Sequence, residues 1–146
     1  MYYLKKKKSS TGKKTGKSRL STLTRKLDEI FSLYIRARDS KDGHFRCISC
    51  GRILPYEQAD CGHYFSRTHK NTRWDEENAN SECRKCNRYC SDHLEGYRIH
   101  LIEKIGQRNF DLLSVRAHQI RKWSEFELEE LIKYYKAKYE SLKEIH

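Results

Sequence analysis

The chain has 146 residues and a formal net charge of +11, with 36% hydrophobic and 35% charged residues. This length suits one domain with appendages, and the low apolar content predicts a small core that needs a cross-link. No stretch approaches the ~18 apolar residues of a membrane span, and no apolar run typical of a secretory signal follows the first lysines. We therefore expect a cytoplasmic protein that does not enter a membrane and keeps its thiols reduced.

Positive charge is concentrated in residues 1–19, which contain no acidic residue and include the run Lys5, Lys6, Lys7 and Lys8. The segment is too polar to fold alone, so we predict a disordered basic tail. The tail could serve only as a solubilising extension. Alternatively, it could tether the protein to phosphates, since nucleic acid is the usual partner of a basic chain.

Residues 20–40 are predicted to form an amphipathic helix. Apolar residues recur there at three- and four-residue steps, and Ser21 or Thr22 could cap its start. His44–Ile48 and Asp60–Phe65 read as two short strands that pair with each other. The polar stretch 66–80 is then a long loop with Trp74 as its apolar anchor, and such loops usually have a function.

Residues 94–146 are predicted to be helical. Leu94–Ile105 and Phe110–Trp123 carry apolar stripes, and Ser124 with Glu127 has the spacing of a capping box that opens a third helix. The third helix is amphipathic and is a candidate homodimer interface. Its tyrosines could be core or dimer contacts, or could stack on unpaired bases; they are Tyr134, Tyr135 and Tyr139.

The cysteines form two C-x-x-C pairs, Cys47/Cys50 and Cys83/Cys86, which have the chemistry of a closed tetrahedral zinc site. Gly51 follows the first pair, where the knuckle turn needs positive φ. The alternatives are two redox motifs or unrelated buried cysteines, but a redox pair is expected in a βαβ unit, which the pattern lacks. Cys61 and Cys90 have no partners at ligand spacing and read as small buried residues.

Three polar residues surround the second cysteine pair. His63 ends the second predicted strand, Asn78 lies in the loop, and Asn87 follows Cys86 directly. This order resembles the HNH, or ββα-metal, nuclease motif in its His-Asn-Asn form. A neutral imidazole suits deprotonation of water, and a side-chain oxygen on Asn87 suits a divalent ion.

The resemblance extends further, to the NinG (Rap) family of lambdoid phages, and covers about residues 22–105. The motifs that carry it are Lys26-Leu27-Asp28, Ser32-Leu33-Tyr34-Ile35-Arg36, Arg46-Cys47-Ile48-Ser49-Cys50-Gly51, Asp60-Cys61-Gly62-His63-Tyr64-Phe65-Ser66-Arg67, Thr72-Arg73-Trp74-Asp75-Glu76, Asn78 and Cys83-Arg84-Lys85-Cys86-Asn87-Arg88.

The resemblance implies a phage- or prophage-encoded recombination endonuclease that cuts branched DNA such as D-loops and Holliday junctions. His63 would be the general base, and Asn78 would orient the loop and the base. Asn87 would help to hold catalytic Mg²⁺ or Mn²⁺, and cleavage would leave a 5′-phosphate. Zinc on the four paired cysteines would be structural.

The sequence departs from the HNH pattern at Gly62, where many HNH enzymes have a metal-binding Asp or His. Asp60 is the first substitute, because residues two apart in a strand share a face. His69 and Asp75 are the other candidates. The basic residues of the loop are predicted to contact the DNA backbone, or else to form a solvated face; they are Arg67, His69, Lys70 and Arg73.

The sequence therefore predicts an α+β protein in four parts: a disordered basic tail (1–19), an N-terminal helix (20–40), a zinc-bound, HNH-like ββα core (41–93) and a C-terminal helical region (94–146). The leading function is a metal-dependent, structure-specific DNA endonuclease. One alternative is a non-catalytic zinc module that binds DNA or a recombination protein, and another is an RNA-binding zinc ribbon.

Overall fold

The computed structural model describes residues 18–145. It has an α+β architecture with five α-helices, one short 3-10 helix (Tyr56–Gln58) and five short strands in this part of the chain. Their order is α1 (Arg19–Arg38), β1 (Ser40–Lys41), β2 (His44–Arg46), β3 (Ile53–Pro55), β4 (Ala59–His63), β5 (Ala79–Cys83), α2 (Arg84–Tyr89), α3 (His93–Ile105), α4 (Gln107–Ala117) and α5 (Glu125–Ile145). The predicted tail, with Lys5, Lys6, Lys7 and Lys8, lies outside the described residues apart from Ser18 and Arg19.

α1 begins one turn earlier than the predicted cap. The Ser18 side chain, not Ser21 or Thr22, accepts a hydrogen bond from a backbone amide, that of Ser21, at 3.2 Å. This places the N-cap three residues before the amide it satisfies, as capping geometry requires. The helix ends at Arg38 with Asp39 as its C-cap, close to the predicted end, and Asp42 and Gly43 form the following turn with positive φ.

α5 packs along α1 and forms the largest part of the core with it. The capping box that opens α5 is confirmed: the Glu127 amide donates to Ser124 Oγ, and the Ser124 amide donates to the Glu127 carboxylate. Burial of an apolar side chain such as Leu128 stabilises the fold by about 2 kcal/mol. The buried residues of this core are Leu23, Leu27, Phe31, Tyr34, Ile35, Trp74, Ala79, Leu128 and Tyr135.

The strand pairing predicted from the sequence is wrong. β2 pairs with β3 and β1, whereas β4 pairs antiparallel with β5, so that His63 lies opposite Ala79 and Ala59 opposite Cys83. Gly51, at φ 73°, turns the chain back on itself, and the segment directly after it therefore becomes the partner of β2. The ββα unit consequently consists of β4, β5 and α2.

The end of α4 is also corrected. It stops at Ala117, not at Trp123, and residues 118–124 cross back towards the long loop. Trp123 packs edge-on against Trp74, with ring centroids 5.5 Å apart, and its indole nitrogen donates to the Lys70 carbonyl. These tertiary contacts outweigh the apolar periodicity that favoured a longer helix.

No helix within residues 18–145 has the length and apolar character needed to cross a membrane.

Candidate functional site

Four cysteine sulfurs converge as the spacing predicts. Those of Cys47, Cys50, Cys83 and Cys86 lie within 4.8 Å of one another, and all four residues except Cys50 are buried. The Cys50 and Cys83 sulfurs are 4.0 Å apart. Tetrahedral zinc with Zn–S bonds of ~2.3 Å separates its sulfurs by about 3.8 Å, so the cluster fits a zinc ion.

Backbone and arginine donors surround the sulfurs. The Cys83 amide lies 3.2 Å from the Cys47 sulfur, and Arg52 Nε lies 3.4 Å from the Cys50 sulfur. Burial raises the pKa of Cys47 to about 11. Burial also raises the pKa of Cys50, but the bonds from Arg52 outweigh it and bring that pKa down to about 6. A metal ion must therefore displace the proton of the Cys47 thiol.

Cys61 and Cys90 lie outside the metal cluster, as predicted, and both are partly buried. Cys61 faces the core between α1 and α5, and burial raises the pKa of its thiol to about 12.

An open cleft of about 400 Å³ lies next to α2, the helix that carries Cys86 of the cysteine cluster. α1 supplies one wall, β4 and the start of the long loop supply the floor, and α2 supplies the other wall. His63, Asp60 and Asn87, which the sequence singled out separately, all line this cleft. The other lining residues are Asp28, Phe31, Ser32, Cys61, Ser66, Arg67 and Arg88.

His63 is held in one tautomer. Its Nε2 lies 2.8 Å from the Arg73 carbonyl oxygen, which can only accept, so Nε2 carries the hydrogen. Nδ1 of the neutral ring is then the acceptor. Burial lowers the pKa of His63, and the nearby charges of Arg67 and Arg73 lower it further. The ring is therefore an unprotonated base at neutral pH.

Asn78 is fully buried and fastens the long loop. Its Oδ1 accepts from the Phe65 amide at 2.8 Å, and its Nδ2 donates to the carbonyls of Phe65 and Thr72. The side chain thus joins the two ends of the segment that carries Arg73, whose carbonyl orients His63. Asn78 does not line the cleft, so its contact with the site is through this loop.

Asp60 and Asn87 meet across the cleft. Asn87 Nδ2 lies 3.1 Å from Asp60 Oδ2, and Arg88 forms a two-pronged ion pair with the same carboxylate. Burial would raise the pKa of Asp60, but the bonds from Arg88 and Asn87 hold it below its usual value. The carboxylate is therefore ionised and has the oxygen ligands that Mg²⁺ and Mn²⁺ prefer, whereas Asn87 presents its nitrogen to Asp60 and would have to turn its Oδ1 towards an ion.

The backbone at Gly62 has no room for a side chain. A Cβ there would lie 2.9 Å from Glu82 Cβ and closer still to the Glu82 carboxylate. Glu82 is fully buried, and its Oε1 accepts from Ser49 Oγ and from His93 Nδ1. No residue at position 62 could therefore supply a metal ligand without rearrangement of this network.

The other two candidates for that ligand lie elsewhere. His69 packs its ring against Phe65 and His118, with centroids 5.7 and 5.6 Å away. Asp75 accepts from Arg116 Nε at 2.9 Å. Neither lines the cleft, which leaves Asp60 as the carboxylate beside Asn87.

The predicted DNA-binding residues have different surroundings. Arg67 lines the cleft with a 60% exposed side chain, and Lys70 is exposed. Arg73 is different: its guanidinium forms two hydrogen bonds with Asp28 and lies over the Trp74 ring. The side chain of Arg73 thus fixes the loop to α1, and its carbonyl orients His63.

Sequence reasoning missed two residues of the cleft. Asp28 anchors Arg73 and Trp74 from α1, and Arg88 binds Asp60 from α2. Both lie within the motifs quoted above, but the sequence predicted no role for either. Their partners are distant in sequence, so only the fold reveals the contacts.

Comparison with known proteins gives a consistent family. The family model described as "NinG: Bacteriophage Lambda NinG protein" matches residues 3–145. Curated relatives named "Protein ninG" include those of Escherichia phage 933W (35% identity over 97 residues), Escherichia phage lambda (34% over 97) and Salmonella phage P22 (32% over 117).

The alignments cover 66%, 66% and 80% of this chain, but 46%, 45% and 55% of the respective relatives. The chain thus spans about half the length of the curated relatives it matches. No solved structure matches the chain.

Proposed function

The chain belongs to the NinG family, and we propose that it is a metal-dependent endonuclease that hydrolyses phosphodiester bonds in branched DNA. The proposed substrates are recombination intermediates such as D-loops and Holliday junctions. The proposed place of the reaction is the cytoplasm of a bacterial host. The observation that carries the proposal is the convergence of His63, Asp60 and Asn87 on one cleft. A ββα unit with a four-cysteine cluster at its base supports an HNH-type site.

His63 has the geometry of a general base. With Nε2 donating to the Arg73 carbonyl, Nδ1 is the atom that would take a proton from the attacking water. The lowered pKa of His63 keeps this nitrogen unprotonated at neutral pH. Asn78 acts through the loop, because it fixes the segment to which the Arg73 carbonyl belongs.

Asp60 and Asn87 would hold Mg²⁺ or Mn²⁺. A bound divalent ion supplies stabilisation of the negative charge that develops on the phosphate and the leaving oxygen. Zinc on the four cysteines would join the turn after β2 to the start of α2, and so help to fix the position of Asn87, which directly follows Cys86. Arg67 and Lys70 supply positive charge for the DNA backbone where the cleft opens.

The test is cleavage of a panel of labelled linear, flapped, D-loop and four-way DNAs with Mg²⁺ or Mn²⁺. We expect His63→Ala to reduce the cleavage rate by at least about 100-fold, as is typical for loss of a general base. His44→Ala is the matched control, since His44 is exposed on β2 and outside the cleft. If the His63→Ala protein binds zinc and cuts as fast as the unmodified protein, the assignment is wrong.

A non-catalytic zinc module that binds DNA is the second candidate. It is favoured by one observation: in the part of the chain that the structure describes, the four cysteines are the one group of three or more His, Cys, Asp or Glu side chains close enough to hold an ion. A catalytic ion would therefore depend on Asn87 as a ligand. Tight junction binding without Mn²⁺ binding or cleavage would favour this candidate.

A further inference from the structure

Arg88 covers the carboxylate that the proposed catalytic ion needs. Its Nε lies 2.7 Å from Asp60 Oδ2, and its Nη2 lies 2.8 Å from Asp60 Oδ1, so one guanidinium engages both oxygens. Asn87 adds a third donor, at 3.1 Å. An ion requires oxygen ligands that face it, whereas here two neighbouring side chains of α2 present hydrogens to Asp60.

Charge makes Arg88 and a divalent ion competitors for Asp60. The Asp60 side chain is 14% exposed, and Arg84 lies 4.0 Å away on the same wall, so the surroundings of this carboxylate are already positive. A second cation beside Asp60 would be repelled by both arginines. Entry of an ion therefore favours departure of the Arg88 guanidinium.

Arg88 can leave Asp60 without becoming a buried unpaired charge, because its side chain is 52% exposed. It follows Asn87 on α2, and both residues line the same cleft. A displaced guanidinium therefore stays beside any DNA in the cleft. Its planar fork fits two phosphate oxygens as well as it fits two carboxylate oxygens.

We propose that Arg88 exchanges partners during substrate binding: it pairs with Asp60 in the free protein and with a DNA phosphate once the divalent ion occupies Asp60 and Asn87. The inference rests on the proposed function and assigns it a regulatory residue. Ion and DNA then strengthen each other's binding, since each favours the state in which Arg88 has left Asp60. The free protein therefore holds the ion weakly, and its affinity for the ion rises when DNA binds.

The first test measures Mn²⁺ binding without DNA, by electron paramagnetic resonance on zinc-loaded protein. We expect Arg88→Gln to bind Mn²⁺ at least about threefold more tightly, a modest gain because the Arg88 side chain is half exposed and its charge is screened by solvent. Lys85→Gln is the matched control: it removes the same charge from an exposed position of α2. Lys85 is outside the cleft, so we expect its replacement to leave Mn²⁺ affinity unchanged.

The second test measures DNA binding in a His63→Ala background, which keeps the substrate uncut. With Arg88 present, we expect Mn²⁺ to steepen the salt dependence of four-way DNA binding, consistent with about one additional phosphate contact. The Arg88→Gln protein should lack this increment. Arg88→Lys keeps the charge but loses the fork, so it should fall between the two.

The outcomes separate the inference from the proposed function. If the unmodified protein binds Mn²⁺ and cuts DNA through His63, but Arg88→Gln and Lys85→Gln have equal Mn²⁺ affinity, the exchange is overturned and the nuclease stands. Absence of Mn²⁺ binding in the unmodified protein both without and with four-way DNA overturns both. Zinc content and circular dichroism show whether the Arg88→Gln protein folds. If it does not, the Mn²⁺ affinity of Arg88→Lys is compared with that of the unmodified protein instead.

Discussion

The surroundings of His63 set the pH range of the proposed reaction. Burial lowers its pKa from the usual value of about 6.5, and the base is active only when unprotonated. We expect the single-turnover cleavage rate to fall as the pH is lowered, with the midpoint of the fall below about 6.5, the usual value for histidine. A midpoint between pH 8 and 7 would contradict this assignment.

The same shift affects stability with a defined sign. The unfolded chain binds a proton at His63 more readily than the folded protein does. Lowering the pH through this range therefore favours unfolding. Stability from the buried neutral ring is complete above the unfolded pKa of about 6.5 and is lost as the pH falls through the lower folded value.

Gly62 is predicted to be intolerant of any side chain. Gly62→Ala places a methyl group against Glu82, and we expect it to lower the free energy of unfolding by about 1–3 kcal/mol, as overpacking usually does. Urea denaturation measures the change. In the double variant with Glu82→Gly, the two effects should be less than additive, because the obstructing carboxylate and Cβ are both gone. Strict additivity would show that Glu82 is not the obstacle.

At the scale of the element, α5 stabilises α1 by packing along it. Leu128 is fully buried against α1, so we expect Leu128→Ala to cost about 2–5 kcal/mol in unfolding experiments. Phe126→Ala is the control on the same helix, since Phe126 is 70% exposed and should contribute little. Similar losses for both variants would mean that Phe126 is buried in an oligomer.

This packing bears on the predicted homodimer. The apolar face of α5 that suggested an interface lies on α1 within one chain, and the Tyr135 hydroxyl donates to the Trp74 carbonyl. Tyr139 packs at the margin of the same core, whereas Tyr134 is 52% exposed. Dimerisation stays a prediction, and it would have to use another surface.

Local patterns predicted helices well and strand partners badly. The capping box at Ser124 and the apolar stripe of α1 are short-range signals, and the structure confirms both. The partner of β4 depends on where the chain turns back, which short strands do not encode. The spacing of the cysteines did predict a contact between distant parts of the chain, because a metal site requires its ligands to lie close together.

In the candidate site, too, the sequence predicted individual residues but not the contacts between them. His63 and Asn87 carry motif signals, and Asp60 was identified by alternation along a strand. The contacts that orient them do not follow from spacing: the bond from His63 to the Arg73 carbonyl depends on Asp28 in α1, and the role of Arg88 depends on the distance between α2 and β4.

For the whole molecule, zinc should determine whether the cleft exists. We expect one zinc per chain, and a large fall in the melting temperature when a chelator removes it, because the ion joins the β2 turn to the start of α2. Colorimetric zinc analysis and thermal unfolding test this. Cys83→Ser should abolish binding, whereas Cys90→Ser should retain it. A Cys83→Ser protein with full zinc content and stability would refute the cluster.

The packing of α5 on α1 also determines when the cleft can form during synthesis of the chain. Arg19 and Glu129, which pair across these helices, are 110 residues apart in the chain. Contacts between such distant segments form only after the intervening chain has been synthesised. α1 is one wall of the cleft, so we expect the ribosome-bound protein to leave DNA uncut until α5 has emerged. Cleavage by chains stalled before and after α5 would measure this built-in delay.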